Sequence, residues 1–294
     1  MNNKKDILAV RKYLNLQVLV MIIISYSIGT GFVSYLGRDI NQKYFWLGLS
    51  IVLFFFLAAE FLNNYFLQTE LFTIHKNREE LIRKNNFFIL YVVSITLVTL
   101  FFFLIFKEFK FNVPLIIFLL VFLLFLVLYG VPPFRWAKRG YSDFLITFLV
   151  VAITPIFALI LQFQEIHSTL FLLTYPAFFL VISYFLAQSL ESYAGDMKAK
   201  KKTIMTNLGW KTGMNLHNMF ILITYVLYGA AAIFGLPSIL VLPAMFSFPV
   251  ALIQLWEMWR IGEGYKPRWN LLKISSMGSL GILAYFLLFN LWLR

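Results

Sequence analysis

Cysteine is missing altogether, which excludes disulfides, thiolate metal sites and a cysteine nucleophile. Charge is scarce as well. Asp, Glu, Lys and Arg supply 13% of the 294 residues, where a soluble domain carries about 25%. Acids are the scarcer sign, 13 against 25 Lys and Arg. There is no glycine-rich phosphate loop, no nucleophile elbow and no zinc signature. The three histidines, His75, His167 and His217, show no metal-ligand spacing and are expected at surfaces or interfaces. What is abundant is apolar: 61% of residues are hydrophobic, 34 are Phe, and the mean hydropathy is +0.81. A soluble domain is about 45–50% apolar, and no soluble fold could hide this excess. The chain is an integral membrane protein.

A bilayer core about 30 Å thick takes roughly 20 apolar residues in a helix. Nine stretches qualify, at about 14–36, 44–67, 87–106, 113–130, 144–163, 169–190, 216–235, 238–259 and 274–293. The predicted fold class is all-α: one membrane domain over residues 1–294, with nine transmembrane helices bundled around a central cavity that opens to the cytoplasmic side. The spacing hints at a duplication of helices one to four (about 14–130) and five to eight (about 144–259), with helix nine (about 274–293) added. Lys and Arg number 20 in the N-terminus and in the gaps after even-numbered runs, and 5 on the other side. By the positive-inside rule the N-terminus is cytoplasmic, and nine crossings leave the C-terminus outside. The same clustering beside the bilayer accounts for the net charge of +12 without nucleic acid. The basic start, MNNKKDILAVRKY, lacks a small-residue cleavage site and reads as an anchor flank.

Three polar segments interrupt this pattern, all expected at the cytoplasmic mouth. Helix two ends AAEFLNNYFLQTE, with Glu60, Asn63 and Asn64 on one helix face. A carboxylate as deep as Glu60 needs a partner or a function, and Asn63 or Asn64 is the expected partner. Between helices four and five runs YGVPPFRWAKRGYSD, where Pro132 and Pro133 cannot continue a helix and are expected in an extended turn. That turn presents Arg135, Lys138 and Arg139. After helix six comes LESYAGDMKAKKKTIMTNLG, with Glu191 and Asp196 on the last turn and Lys198, Lys200, Lys201 and Lys202 beyond. Acids that can hold a divalent cation, beside lysines that can hold phosphate oxygens, suit a polyphosphate at a membrane surface. The plainer reading is that the lysines set topology.

Taken together, the segments resemble the UbiA superfamily of intramembrane prenyltransferases. In the loop after helix four, Tyr129, Pro132, Pro133, Arg135, Lys138, Gly140 and Asp143 fall on that family's pattern. The run Leu190–Gly209 is similar to its second acidic motif, down to the Lys-Thr and Leu-Gly of the tail, and NNYFLQTEL stands where its first motif, Asn-Asp-x-x-Asp-x-x-x-Asp, belongs. The resemblance implies transfer of an isoprenoid from a prenyl diphosphate to a hydrophobic acceptor (aromatic, quinone-precursor or lipid), with Mg²⁺ on the diphosphate and the prenyl tail in a lipid-open groove. It assigns catalysis to Asp196, Glu191 and Arg135, and substrate binding to Asn63, Asn64, Gln68, Arg78, Tyr129, Lys138 and Lys202. Metal ligation falls to Asp196 and Glu191, with Glu70, which stands out of register with the family's pattern, as a further candidate.

The departures bear on that chemistry. Where the family carries Asp in the first motif, this chain has Asn64, Leu67 and Leu71, and Ser192 replaces an Asp of the second. Leucine cannot ligate magnesium, and Asn is a neutral, weaker ligand. The usual Asn-Arg-Pro after the first motif survives only as Asn77-Arg78. Mg²⁺ is therefore expected mainly on the second motif and on the ligand's own phosphates. The alternative is a non-catalytic relative that binds an isoprenoid or similar lipid. A transporter built on Glu60 is a third reading.

Overall fold

The computed structural model of the chain describes residues 15–75, 78–109 and 113–293. Among them are nine helices long and apolar enough to cross a membrane. They are α1 (Leu16–Tyr35), α2 (Gln42–His75), α3 (Arg78–Glu108) and α4 (Val113–Gly130), then α5 (Ala137–Phe163) and α6 (Ser168–Lys198). The last three are α7 (Trp210–Ile233), α8 (Ser238–Gly262) and α9 (Trp269–Trp292). The N-terminal basic cluster, Asn77, Lys110, Arg294 and the side chain of His75 lie outside the described residues.

The apolar runs locate every helix but understate most of them, three by eight or nine residues at one end. α2 continues to His75, α3 begins at Arg78 and α6 reaches Lys198. Hydropathy reports contact with lipid, whereas helicity depends on backbone preference, and the added segments are rich in Glu, Lys, Arg, Gln and Leu, all good helix formers. The polar motifs after helices two and six therefore sit on helical extensions rather than in loops.

Burial sorts the helices. In α5, 78% of the most apolar window is enclosed by protein, and in α6 67%, against 22% in α3. α5 and α6 form the inner layer, and α3 turns most of its apolar side chains outward, where lipid would meet them. α5 can be central because it bends. Pro155 has no N–H to continue the helical ladder, and a π-turn at Leu149–Ile153 absorbs the defect, with the Thr154 hydroxyl donating to Leu149 O at 2.8 Å. Gly29 of α1 packs directly on Pro155, which brings the two backbones together.

A polar network ties the outer helices of the second half. His217 is fully buried in α7, its ring facing Asn218 Oδ1 at 3.0 Å and Gln254 Oε1 of α8 at 3.4 Å. Gln254 in turn donates to Ser279 Oγ of α9 at 2.8 Å. His217 is thus an interior clamp and not the surface or interfacial residue expected from its place near a helix start. Away from lipid-like exposure its ring needs partners, and the network supplies them.

Candidate functional site

The α4–α5 loop bridges the end of α2, through Arg135 and Lys138 on Glu70, and the segment after α6, through Asn207 on Arg139 O. α4 stops at Gly130, and the Pro132–Pro133 bond is cis. The prolines turn the chain back on itself instead of extending it. Arg135 N donates to Val131 O at 3.1 Å and Trp136 N to Leu128 O at 2.9 Å. Arg135 itself takes a left-handed backbone (φ 38°), a conformation that costs a non-glycine residue about 1–3 kcal/mol and that recurs at ligand clamps.

Its side chain turns inward, leaving the residue only 5% exposed. The guanidinium lies 5.8 Å from the ring of Phe66. Its Nη1 donates to Glu70 Oε1 at 2.5 Å, and Lys138 Nζ donates to Glu70 Oε2 at 2.5 Å. Nε and Nη2, the two donors that point the same way along one edge, are buried and have no partner. An unmatched buried donor is unfavourable by about 1–3 kcal/mol, more when charged. The natural complement of that edge is an oxyanion held by two parallel N–H bonds.

The loop is docked on the segment after α6 by residues of the two matching motifs. Gly140 has φ +90°, and a Cβ there would lie 2.9 Å from the backbone N and C of Thr203. Only glycine allows both the turn and the approach. Thr203 caps a five-residue helix, Ile204–Leu208, in a reciprocal capping box with Thr206. Asn207 Nδ2 then donates to Arg139 O at 2.8 Å. The basic loop and the Lys-Thr tail are one structural unit.

The acids of the second motif are each matched to a cation. Asp196 lies 3.7 Å from Lys201 Nζ and accepts from Ser192 Oγ at 2.8 Å. Glu191 lies 3.3 Å from Lys273 Nζ at the start of α9. Lys201 belongs to the lysine run noted in the sequence, whereas Lys273 leaves no such sign, because α9 meets α6 only through the fold. Lys202 is exposed, with Lys201 taking the place beside Asp196, and Arg78 is exposed at the first residue of α3.

In the first motif Glu60 is 8% exposed and its partner is Tyr129, whose hydroxyl donates to Oε1 at 2.5 Å. The expected Asn partner is not used. The side-chain amide of Asn64 donates to the Glu60 backbone O at 2.9 Å, a bond within one helix. Asn63 is half-buried and backs onto Gly130 of α4. Gln68, 2% exposed, keeps a buried and unpartnered Oε1. Tyr129 thus serves α2–α4 packing. Tyr129→Phe would strand a buried carboxylate, at about 2 kcal/mol, and should lower the thermal midpoint by roughly 4–8 °C. Adding Glu60→Leu should restore most of it. Full stability in Tyr129→Phe alone would show the pair to be inert.

Deeper in the bundle, α1, α5, α6 and α9 line a partly open cavity of ≈ 420 Å³ with an almost wholly apolar wall. It passes from Gln17 and Met277, in the first halves of α1 and α9, and Tyr184, at the middle of α6, to Ile28, Leu173 and Leu287. The Tyr184 hydroxyl donates to Gln17 Oε1 at 2.8 Å, so the polar groups at that end satisfy each other.

A model of the UbiA prenyltransferase family matches residues 88–277. The chain belongs to that family. The match begins beyond the first acidic motif, the part that has lost its aspartates. No curated protein matches the sequence. Solved structures share the fold. One, from work on a digeranylgeranylglyceryl phosphate synthase, is 15% identical with a TM-score of 0.67, covering 95% of this chain and 94% of the other. A UbiA homologue from Aeropyrum pernix is 13% identical with a TM-score of 0.62, over 93% and 96%. Another from Archaeoglobus fulgidus, bound to GPP and Mg²⁺, is 16% identical with a TM-score of 0.61, over 96% and 100%.

Magnesium does not fit the donors of this UbiA member. Among the described residues no three of His, Cys, Asp and Glu come together as a metal site. Glu70, Glu191 and Asp196, the expected ligands, are held by three separate sets of cations. The spare buried acceptor, Gln68 Oε1, is neutral, whereas magnesium favours carboxylates in a near-octahedral oxygen shell.

Proposed function

We propose that this UbiA protein binds a prenyl diphosphate with its head on Arg135 and Lys138 and its tail in the apolar cavity, and transfers the isoprenoid to a hydrophobic acceptor. The observation that carries the reading is the buried, unpartnered edge of Arg135. Transfer breaks the C1–O bond, and the diphosphate leaves with the electron pair. The allylic cation is captured by an electron-rich atom of the acceptor, an aromatic, quinone-precursor or membrane lipid, which then loses a proton. Arg135 and Lys138 stabilise the charge that grows on the leaving diphosphate. The apolar wall keeps water from the cation. Excess Lys and Arg at this end favours the cytoplasmic side of the membrane.

The test is incubation of the purified protein with prenyl diphosphates of graded length and candidate acceptors, with pyrophosphate release and prenylated product both measured. Acceptor-dependent release supports transfer. A second reading rests on the pairing of each motif acid with a cation: a relative that holds the isoprenoid diphosphate without cleaving it. Tight binding with no release would favour that reading, and no binding at all would reject both.

A further inference from the structure

Glu70 is the acid that stands out of register with the family pattern, and its place explains what it does. The first motif faces inward through Asn64 and Gln68, both buried. Glu70 instead lies on the side of α2 that meets the α4–α5 loop, where its two carboxylate oxygens take one N–H of Arg135 and one of Lys138. Two oxygens on two cations is also what one phosphoryl group would offer. Two roles are open to such a carboxylate: a brace that aims the arginine, or an anion that fills a ligand's place until the ligand comes.

Exposure separates them. The Arg135 side chain is 7% exposed, those of Glu70 and Lys138 44% and 52%. The Arg135 backbone is fixed by its own turn and by bonds from Lys138 N and Arg139 N to its carbonyl at 3.0 and 3.2 Å, and its guanidinium rests against Phe66. Glu70 is therefore not its only anchor. Glu70 is the solvent-facing partner, and its carboxylate can swing out into water at little cost, because half-exposed ion pairs are weak. The guanidinium edge that would take a first phosphoryl group is buried and has no partner. Glu70 covers the remaining donors, Nη1 and Lys138 Nζ.

We propose that Glu70 is a displaceable placeholder, occupying in the free protein the half of the site that the second phosphoryl group of a diphosphate takes, and that this exchange proceeds without a divalent metal. The proposal rests on the diphosphate reading above. One phosphoryl group sits on Nε and Nη2 of Arg135, the other replaces the Glu70 carboxylate on Nη1 and Lys138. A lone phosphate uses the free edge and leaves Glu70 in place.

The test uses the full chain in detergent with EDTA present, titrated with inorganic pyrophosphate and, separately, inorganic phosphate, as wild type and as Glu70→Gln. Removing the competing charge should tighten pyrophosphate by about tenfold. Phosphate should gain less, so the preference for pyrophosphate should widen. An equal gain for both anions, an unchanged affinity, or a loss with Glu70→Gln overturns the placeholder while the diphosphate reading stands. No pyrophosphate binding to either protein overturns both. A wild-type measurement guards against a variant that fails to fold. A zero-length carbodiimide cross-link between Glu70 and Lys138 should form in the free protein and be suppressed by pyrophosphate. A cross-link that persists at saturating pyrophosphate rejects the exchange.

Discussion

Arg135→Ala is expected to weaken prenyl diphosphate binding by about a hundredfold or more. Hydrogen bonds to a charged group contribute about 1.5–3 kcal/mol each, and the free edge of Arg135 offers two of them in a buried setting. Losing both corresponds to at least two factors of ten. Arg135→Lys separates charge from geometry. It keeps the cation as a point charge but not the parallel pair of donors, so it should recover only part of the loss. Arg38→Ala, at the opposite end of the bundle, should bind as the wild type does. Isothermal titration in detergent reads all four proteins, and thermal midpoints confirm that each is folded. If Arg135→Ala binds within twofold of wild type, the basic loop is a topology determinant and the head group sits elsewhere.

How much of this is legible in the sequence depends on what kind of signal each feature leaves. The nine helices are, because an unbroken run of roughly 20 apolar residues fits a bilayer and little else. The docked loop is visible through particular residues. Gly140, Thr203 and the Leu208-Gly209 step occupy matching motif positions, and in the structure they provide a close approach, a cap and a turn respectively. Partnerships across helices are not legible. Nothing local says that Glu60 bonds Tyr129, 69 residues away, or that Glu70 meets Arg135, 65 residues away. His217 misleads for the same reason, since its partner Gln254 belongs to the next helix. Among the expected magnesium ligands, the cations on Glu70 and Glu191 come from other helices or loops through the fold, whereas Lys201 beside Asp196 belongs to the same run.

Glycines in membrane helices show the same limit, and Gly29→Ala against Gly229→Ala makes it measurable. Both residues lie inside apolar helices, where glycine can permit close packing. In the structure a Cβ at position 29 would lie 2.2 Å from Pro155 O and 2.7 Å from Pro155 Cα. Those are backbone atoms of the most enclosed helix, so no rotamer change relieves the clash and α1 has to move off α5. Overpacking of that kind costs about 1–3 kcal/mol, occasionally more, which is roughly 2–12 °C in thermal midpoint. At Gly229 nothing lies within 4 Å, and alanine there should be neutral or stabilising by up to about 1 kcal/mol. The same displacement has a functional reading, because α1 and α5 share the cavity wall through Ile24, Ser25, Val150 and Val151. Gly29→Ala should therefore lower the affinity for a long-chain prenyl diphosphate while leaving inorganic pyrophosphate, bound at the basic end, within about twofold of wild type. Equal losses for both ligands would mean that the head and tail sites are not separable along the bundle. No loss for either would remove the cavity from the account of substrate binding.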